Sequence, residues 1–576
     1  KQTLKYESEQ PNSLYDPNGS FQSINRRYDI VYGDVMLNFN YNINRFDIAA
    51  TVGWTGRYEN MNNMRVSTNG GLVTENWFDL NASRYTPSST LQRMELLKTG
   101  YMGTLSLGWD NYLFLELTGR QERSSTLKDQ SFFYPSANLS FLFTQAFHMP
   151  SWWNYGKLRL SYGIVGNAPE TYTANIVYEQ GSDNGFTWNT IPSSWGNADI
   201  RPEKKYEYEI GLESKFLNNR LGIDISYYNN RVKDQILSTP QPSTSGVKNV
   251  LMNVGEVANR GWDISISATP ILTRDFRWDL TANYGVYKNK VVKLADGVPY
   301  LEILNSGGSG IKIQAVEGQP MGDIYAQVPQ VNENGEYLVS DKGLYLNQTE
   351  LQKVGNINPA GVGGLFNSFS YKNVFLDFSI DFRIGGDVIN EMNQYATAVG
   401  LTPESLKYRD TEHGGLSYYY PGDNNSSGIP VQVDPSTGAG PNGEIIYHDG
   451  IILPGVVAST GERNTRIIPA GYYYNTTYNW GTEAEQLTYR HSVFDNSYVK
   501  LRELTIGYQF PEKMISKLGL GRLSVSVFGR NLFYFYKALK NYDAESSVGT
   551  SWANQATVGS STTATRSFGV SLRASF

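Results

Sequence analysis

Between Val374 and Gly386 the chain alternates without a break. Leu376, Phe378, Ile380, Phe382 and Ile384 are apolar, and Asp377, Ser379, Asp381 and Arg383 stand between them. A period of two places the apolar side chains on one face of an extended strand and the polar ones on the other. The last residues repeat the pattern, with Phe568, Val570, Leu572, Ala574 and Phe576 alternating with Gly569, Ser571, Arg573 and Ser575. Leu113, Leu115 and Leu117 follow it too, as do Leu221, Ile223 and Ile225, then Trp262, Ile264, Ile266 and Ala268, then Phe276, Trp278, Leu280 and Ala282.

This template predicts about fifteen strands, near 27–41, 46–57, 97–108, 112–120, 132–143, 157–166, 204–216, 220–230, 255–269, 276–286, 362–370, 374–385, 497–510, 523–533 and 563–576. Each is close to the length that crosses a bilayer at a tilt. Their connections alternate in length. Short links fall near Ile43 to Arg45, Trp109 to Asn111, Gln145 to Tyr155, Leu217 to Asn219, Pro270 to Asp275, Tyr371 to Asn373 and Pro511 to Arg522. Between them come long ones at 59–96, 121–131, 168–203, 233–254, 293–361, 387–496 and 534–562. Short turns at one end and long loops at the other are the signature of an outer-membrane barrel, whereas a soluble sandwich has no reason to sort its loops by length. The expected fold is therefore all-β, a transmembrane antiparallel β-barrel forming one domain over 1–576, with 387–496 a long extracellular loop within it.

Composition sharpens this reading. Of 576 residues, 41 are Tyr, 25 Phe, 11 Trp and 56 Gly, and 18% are charged. Mean hydropathy is negative and no run of apolar residues is long enough for a helical span, but a barrel strand is only half apolar and needs none. A net charge of −6 argues against a phosphate-binding surface, so no nucleic-acid partner is expected. The chain lacks cysteine. Stepping back from a periplasmic C-terminus, the first strand descends from outside the cell. An odd count of strands then implies missing N-terminal ones, and Lys1 to Asn25 is expected to lie in an extracellular loop.

Particular segments carry a resemblance. Lys157 to Asn167 (KLRLSYGIVGN), Arg201 to Leu221 (RPEKKYEYEIGLESKFLNNRL), Gly255 to Ile266 (GEVANRGWDISI), Gly355 to Gly386, Ser497 to Pro511 (SYVKLRELTIGYQFP) and Gly529 to Phe533 (GRNLF) occur in this order. Together they resemble the C-terminal two thirds of the barrel of SusC-like TonB-dependent transporters of Bacteroidota outer membranes. The family's usual Asp-Pro-Glu reads Asp543-Ala544-Glu545 here. The resemblance implies twenty-two strands in the whole barrel, so that about seven strands and the plug lie outside this sequence. It also implies import of oligosaccharides or oligopeptides with a SusD-like surface lipoprotein, and energy coupling to a TonB complex through the absent N-terminal part. Outer-membrane lipid around the barrel, and a dimer of SusC–SusD pairs, belong to the same picture.

Candidate chemistry is sparse, and no enzyme, cofactor or metal site is expected. The four histidines, His148, His413, His448 and His491, show no pair at metal-ligand spacing. Asp377 and Asp381 share a strand face but stand roughly 13 Å apart, which suits the wall of a polar lumen better than a catalytic pair. Loop aromatics are the candidate substrate contacts: Trp188, Trp195, Tyr418, Tyr419, Tyr420, Tyr472, Tyr473 and Tyr474, with Tyr478 and Trp480 beyond them. Flat rings stack on sugars or grip peptide side chains; the alternatives are packing within the loops, contact with a partner or an interfacial aromatic girdle. Trp152 and Trp153, beside a short turn, suit an interfacial aromatic girdle. Phe576, closing the last strand, is the candidate barrel-assembly signal. The polar 387–496 loop is expected to cover something, a surface lipoprotein being the natural choice. Two rival classes stand beside the transporter: a structural or adhesive outer-membrane barrel without transport, and a soluble β-rich glycan-binding protein.

Overall fold

A computed structural model describes residues 2–8, 19–128, 131–183, 186–306, 310–422, 428–479, 488–546, 551–558 and 564–576. Its dominant feature is one antiparallel sheet of sixteen strands whose spatial order is the order of the chain. The strands are β1 (Gln2–Ser8), β2 (Ser20–Ile43), β3 (Phe46–Leu72), β4 (Ser83–Trp109), β5 (Leu113–Ser124), β6 (Ser131–Phe141), β7 (Trp153–Asn167) and β8 (Glu203–Phe216). They continue with β9 (Leu221–Lys233), β10 (Glu256–Leu272), β11 (Phe276–Lys293), β12 (Gly361–Tyr371), β13 (Val374–Ile384), β14 (Tyr498–Gln509), β15 (Arg522–Lys537) and β16 (Ser567–Ser575). Each of the fifteen expected strands has its counterpart in β2–β16.

Directly opposed residues in a sheet share a face, so the pairing register shows what each face carries. One row across β2–β11 reads Tyr41, Ile48, Leu107, Leu115, Leu139, Leu160, Ile210, Tyr227, Trp262 and Val286. The row one residue over, on the opposite face, reads Asn40, Ala49, Ser106, Glu116, Asn138, Ser161, Glu209, Tyr228, Gly261 and Tyr287. Across β11–β16 the apolar row continues as Trp278, Phe369, Leu376, Ile506, Val527 and Val570. The first row begins two residues before the end of β2 and finishes ten residues after the start of β11. That climb is the stagger a tilted barrel wall requires. Many of the apolar residues remain exposed, among them Leu37, Tyr101, Ile210, Trp262, Ile506 and Val570.

The connections at one end are tight. Asn44, Asp110, Asn111, Asn218, Asn219 and Lys372 adopt left-handed backbone there, a conformation that asparagine and aspartate tolerate better than most residues. Aromatic rings cluster at this rim. Phe46, Trp109, Tyr112, Phe141 and Phe147 form a chain of contacts, and Trp152, Trp153 and Phe216 meet at centroid distances of 5.4–6.0 Å. Rings with a polar edge suit the boundary between hydrocarbon and water.

At the other end two sequence expectations are corrected. The 59–96 segment is not a loop: β3 and β4 are 27 residues each and stay paired up to Leu72↔Ser83. Such a strand is about 90 Å long, several times what a bilayer needs. The alternation ends above Tyr58 because both faces there meet water: Asn60 and Asn62 stand where apolar residues would continue the row, and Asn63 and Arg65 keep the other face polar. Lys1 to Asn25 is likewise not all loop, since Gln2–Ser8 pairs with Ser20–Arg26 and adds a sixteenth, short strand. The remaining long connections are not structureless. The segments after β7, β9, β11 and β13 contain small sheets, and the helices Glu391–Ala398 and Ala470–Tyr478 lie between β13 and β14. A shared core of Ile311, Ile313, Ile324, Ala326, Ile357, Ile389, Tyr489 and Val493 binds the connection after β11 to the one after β13.

Candidate functional site

The family-like segments turn out to anchor these folded connections to the polar face of the wall. On β14, Lys500 is 1% exposed and its ammonium lies 2.6 Å from the Glu545 carboxylate and 4.8 Å from the Tyr534 ring centroid. Arg502 donates to both oxygens of the same carboxylate, at 2.6 and 2.8 Å, and reaches back to Asp381 on β13 at 2.6 Å. The Tyr534 hydroxyl donates to Asp543 at 2.9 Å. Asp543-Ala544-Glu545 is thus a clamp that fastens the β15–β16 connection to three strands. The Arg502 guanidinium and the Lys500 ammonium hold the Glu545 carboxyl down at about 2.

A second clamp fastens the connection after β11. Asn289 accepts from the Met321 backbone at 2.9 Å and the Tyr287 hydroxyl donates to Asn358 at 3.0 Å, both from the polar face of β11. The Asn356 amide donates to Asp323 at 2.7 Å, and its backbone N–H donates to Asp387 at 2.9 Å. Lys353 lies 2.7 Å from the fully buried Asp323. Arg383 on β13 donates to the Ile357 carbonyl at 3.0 Å. The run from Gly355 to Gly386 therefore ties two folded connections and two strands together.

Lower on the same face, Arg159 bridges Asp224 at 2.6 Å and Glu213 at 3.5 Å across three strands. Near the tight-turn end a recess of about 680 Å³ is lined by Asn40, Asp47, Ser106, Glu116, Asn138 and Ser140. Polar groups of both signs line this face, so it can hold water and polar solutes while the opposite face excludes them. Asp381 sits within this polar lining, engaged by Arg502, and Asp377 opposes Thr505 on it.

The candidate aromatics divide by burial. Tyr418, 1% exposed, and Tyr420 pack with Ile467 in a small core, with ring centroids 5.5 Å apart. Tyr474, 3% exposed, donates to the Glu404 carbonyl at 2.8 Å and lies 5.1 Å from Tyr473. Burial raises the phenol pKa of Tyr418, Tyr473 and Tyr474. These rings hold the 387–496 connection together, so what it covers first is its own core. Tyr419 is half-buried, Tyr472 and Trp188 are exposed, and Trp195 is half-buried against Tyr178. Trp480 lies outside the described residues. Phe576 is 98% exposed at the end of β16. His413 contacts Asp410, His448 contacts Ser417, and His491 stacks on Tyr478 at 4.4 Å. Burial pushes His491 down to about 4, so its ring is neutral. Among the described residues no group of three or more His, Cys, Asp or Glu is placed to hold a metal ion.

The clamps escaped sequence reading because Lys500 and Glu545 are separated by 45 residues and no periodicity links them. The only trace was that both lie in segments carrying the family resemblance.

Comparison with known proteins agrees with this geometry. Residues 2–324 match the family described as TonB dependent receptor-like, beta-barrel. The chain is 24% identical over 494 residues to TonB-dependent receptor P3 of Formosa agariphila, covering 78% of this chain and 42% of that protein. It is 30% identical over 247 residues to TonB-dependent receptor SusC of Bacteroides thetaiotaomicron, covering 39% of this chain and 24% of that protein. A solved structure of the RagAB peptide transporter superposes with a TM-score of 0.68 at 18% identity, covering 94% of this chain and 55% of that one. The chain thus spans less than half the length of these two curated relatives. With more than half of its residues matched, and a one-sided apolar sheet that superposes on such a barrel, the chain belongs to the TonB-dependent receptor β-barrel family.

Proposed function

We propose that the chain forms the greater part of the wall of an active importer in a bacterial outer membrane. One observation supports this above the others. Every large folded connection lies at one end of the sheet, and the best anchored are tied to its polar face, while the opposite end is closed by tight turns and aromatic rings. A barrel that only anchors or adheres needs no such investment on its inner face. In this reading the two free edges of the sheet meet further strands, since a span in lipid cannot leave a backbone ladder unpaired.

The imported nutrient is an oligosaccharide or oligopeptide too large for open porins. A SusD-like lipoprotein covers the loop end, and a TonB complex acts on a plug inside the wall. Assembly as a dimer of such pairs belongs to the same reading, as does Phe576 acting as the barrel-assembly signal. Of the candidate rings, Trp188, Trp195, Tyr419 and Tyr472 present a face to a ligand, whereas Tyr418, Tyr420, Tyr473 and Tyr474 support the surface that does so.

The test is uptake. Deleting the gene should abolish accumulation of at least one fluorescently labelled oligosaccharide or oligopeptide, and restoring it should recover accumulation only while the TonB complex is energised. Unchanged accumulation of every labelled substrate would refute the importer reading.

A further inference from the structure

The connection after β11 carries a four-stranded sheet built from Tyr300–Ser306, Ile311–Val316, Asp323–Ala326 and Gln352–Asn356. Its strands alternate as sharply as those of the wall. Ile311, Ile313 and Ile324 turn to the shared core and are fully buried. Lys312, Gln314 and Tyr325 turn the other way, into a cleft of about 890 Å³ that Tyr300, Gln327 and Glu350 also line. Asn289 and Tyr287 tie this connection to the polar face of the wall.

Three features of the cleft bear on what would fill it. Gln314 belongs to a residue only 6% exposed, and among the described residues its side-chain amide has no hydrogen-bond partner. The amide therefore keeps both its donors and its acceptor free for a ligand or water that both donates and accepts. Tyr300, 43% exposed, and the half-buried Tyr325 both line the cleft and supply aromatic rings to it. The charge pattern is the third. Lys312, the cation of the lining, is neutralised by Glu302 at 2.6 Å, while the Glu350 carboxylate forms no ion pair among the described residues. A ligand carrying carboxylates, sulfates or phosphates would meet an uncompensated negative charge and, among the described lining residues, no unpaired cation.

We infer that this cleft is a saccharide subsite, selective for uncharged oligosaccharides over acidic glycans and peptides. Ring faces take the apolar side of a pyranose, and Gln314 and Gln327 exchange hydrogen bonds with its hydroxyls. The Glu350 carboxylate accepts from a hydroxyl without needing a cation. The inference rests on the importer reading and deepens it, because a subsite tied to the inner face of the wall lies where cargo would enter.

The test uses the full transporter purified from membranes in detergent, as wild type and as Q314L and Y300A. Calorimetry would screen neutral glucans, mannans, xylans and galactans against uronate-containing or sulfated glycans and against acidic, neutral and basic oligopeptides. Binding of a neutral oligosaccharide is expected, weakened about tenfold or more by each substitution, in line with the loss of one buried hydrogen bond or one ring stack. Unchanged thermal unfolding of both variants would assign the loss to the cleft, and a Q314E variant that folds should also bind more weakly. Binding of charged glycans or peptides alone, or neutral-glycan binding that both variants retain, would overturn the inference. Uptake of peptides by cells carrying the gene, with no neutral oligosaccharide bound, would leave the importer reading intact while removing the saccharide subsite, so the two can fail separately.

Discussion

The side chain that most clearly separates structural from ligand-facing duty is Glu545. Its carboxylate is shared by Lys500 and Arg502 and fastens the last connection to β14, so E545Q removes one partner from an ammonium that is 2% exposed. Breaking a pair of that kind costs about 3 kcal/mol, and E545Q should therefore speed proteolytic cutting of the β15–β16 connection while the strands stay protected. The pH dependence has a definite sign. The carboxyl is held at about 2 in the folded protein against an ordinary 4.5, so its contribution is complete above about 4.5 and fades as pH falls toward about 2. Pepsin cleavage of that connection should accelerate over this window in the wild type and not in E545Q. The tyrosines divide in the same way. Y418A empties a packed position and should cost about 3–5 kcal/mol of loop stability, whereas Y472A should leave loop proteolysis unchanged and alter only ligand binding.

At the scale of elements, the period of two made the membrane-crossing part of each strand legible, because lipid and lumen impose opposite chemistry on alternate residues. The same mechanism hid the rest. Above Tyr58 and Leu97 both faces of β3 and β4 meet water, the selection for alternation vanishes, and a paired hairpin reads as a loop. The clamps were illegible for another reason, since Lys500–Glu545 and Asn356–Asp387 join residues far apart in sequence. Tyrosine runs such as Tyr418 to Tyr420 gave no sign of which rings face inward, because an isolated short strand in a folded loop has no long pattern to read. Neighbouring positions on β6 test the two faces directly. L139R puts a charge into lipid and should cost about 2–4 kcal/mol and reduce assembled barrel, while N138R points into the lumen and should be tolerated. Heat-modifiability on gels would score both variants.

The whole molecule is a wall with one lipid-facing side, tight turns at one rim and folded connections at the other. Since these 576 residues contain no cysteine, single cysteines introduced among them meet no native thiol of this segment. The most direct measurement is labelling of intact cells with a membrane-impermeant maleimide. Cysteines at Ser88 in the tall hairpin and Thr411 in the 387–496 connection should react at once, and those at Asn44, Asn218 and Lys372 only after the outer membrane is opened. Positions Leu139 and Ile210 should stay unlabelled in both conditions. Reaction of turn and loop positions alike in intact cells, or labelling of the apolar row, would contradict the account.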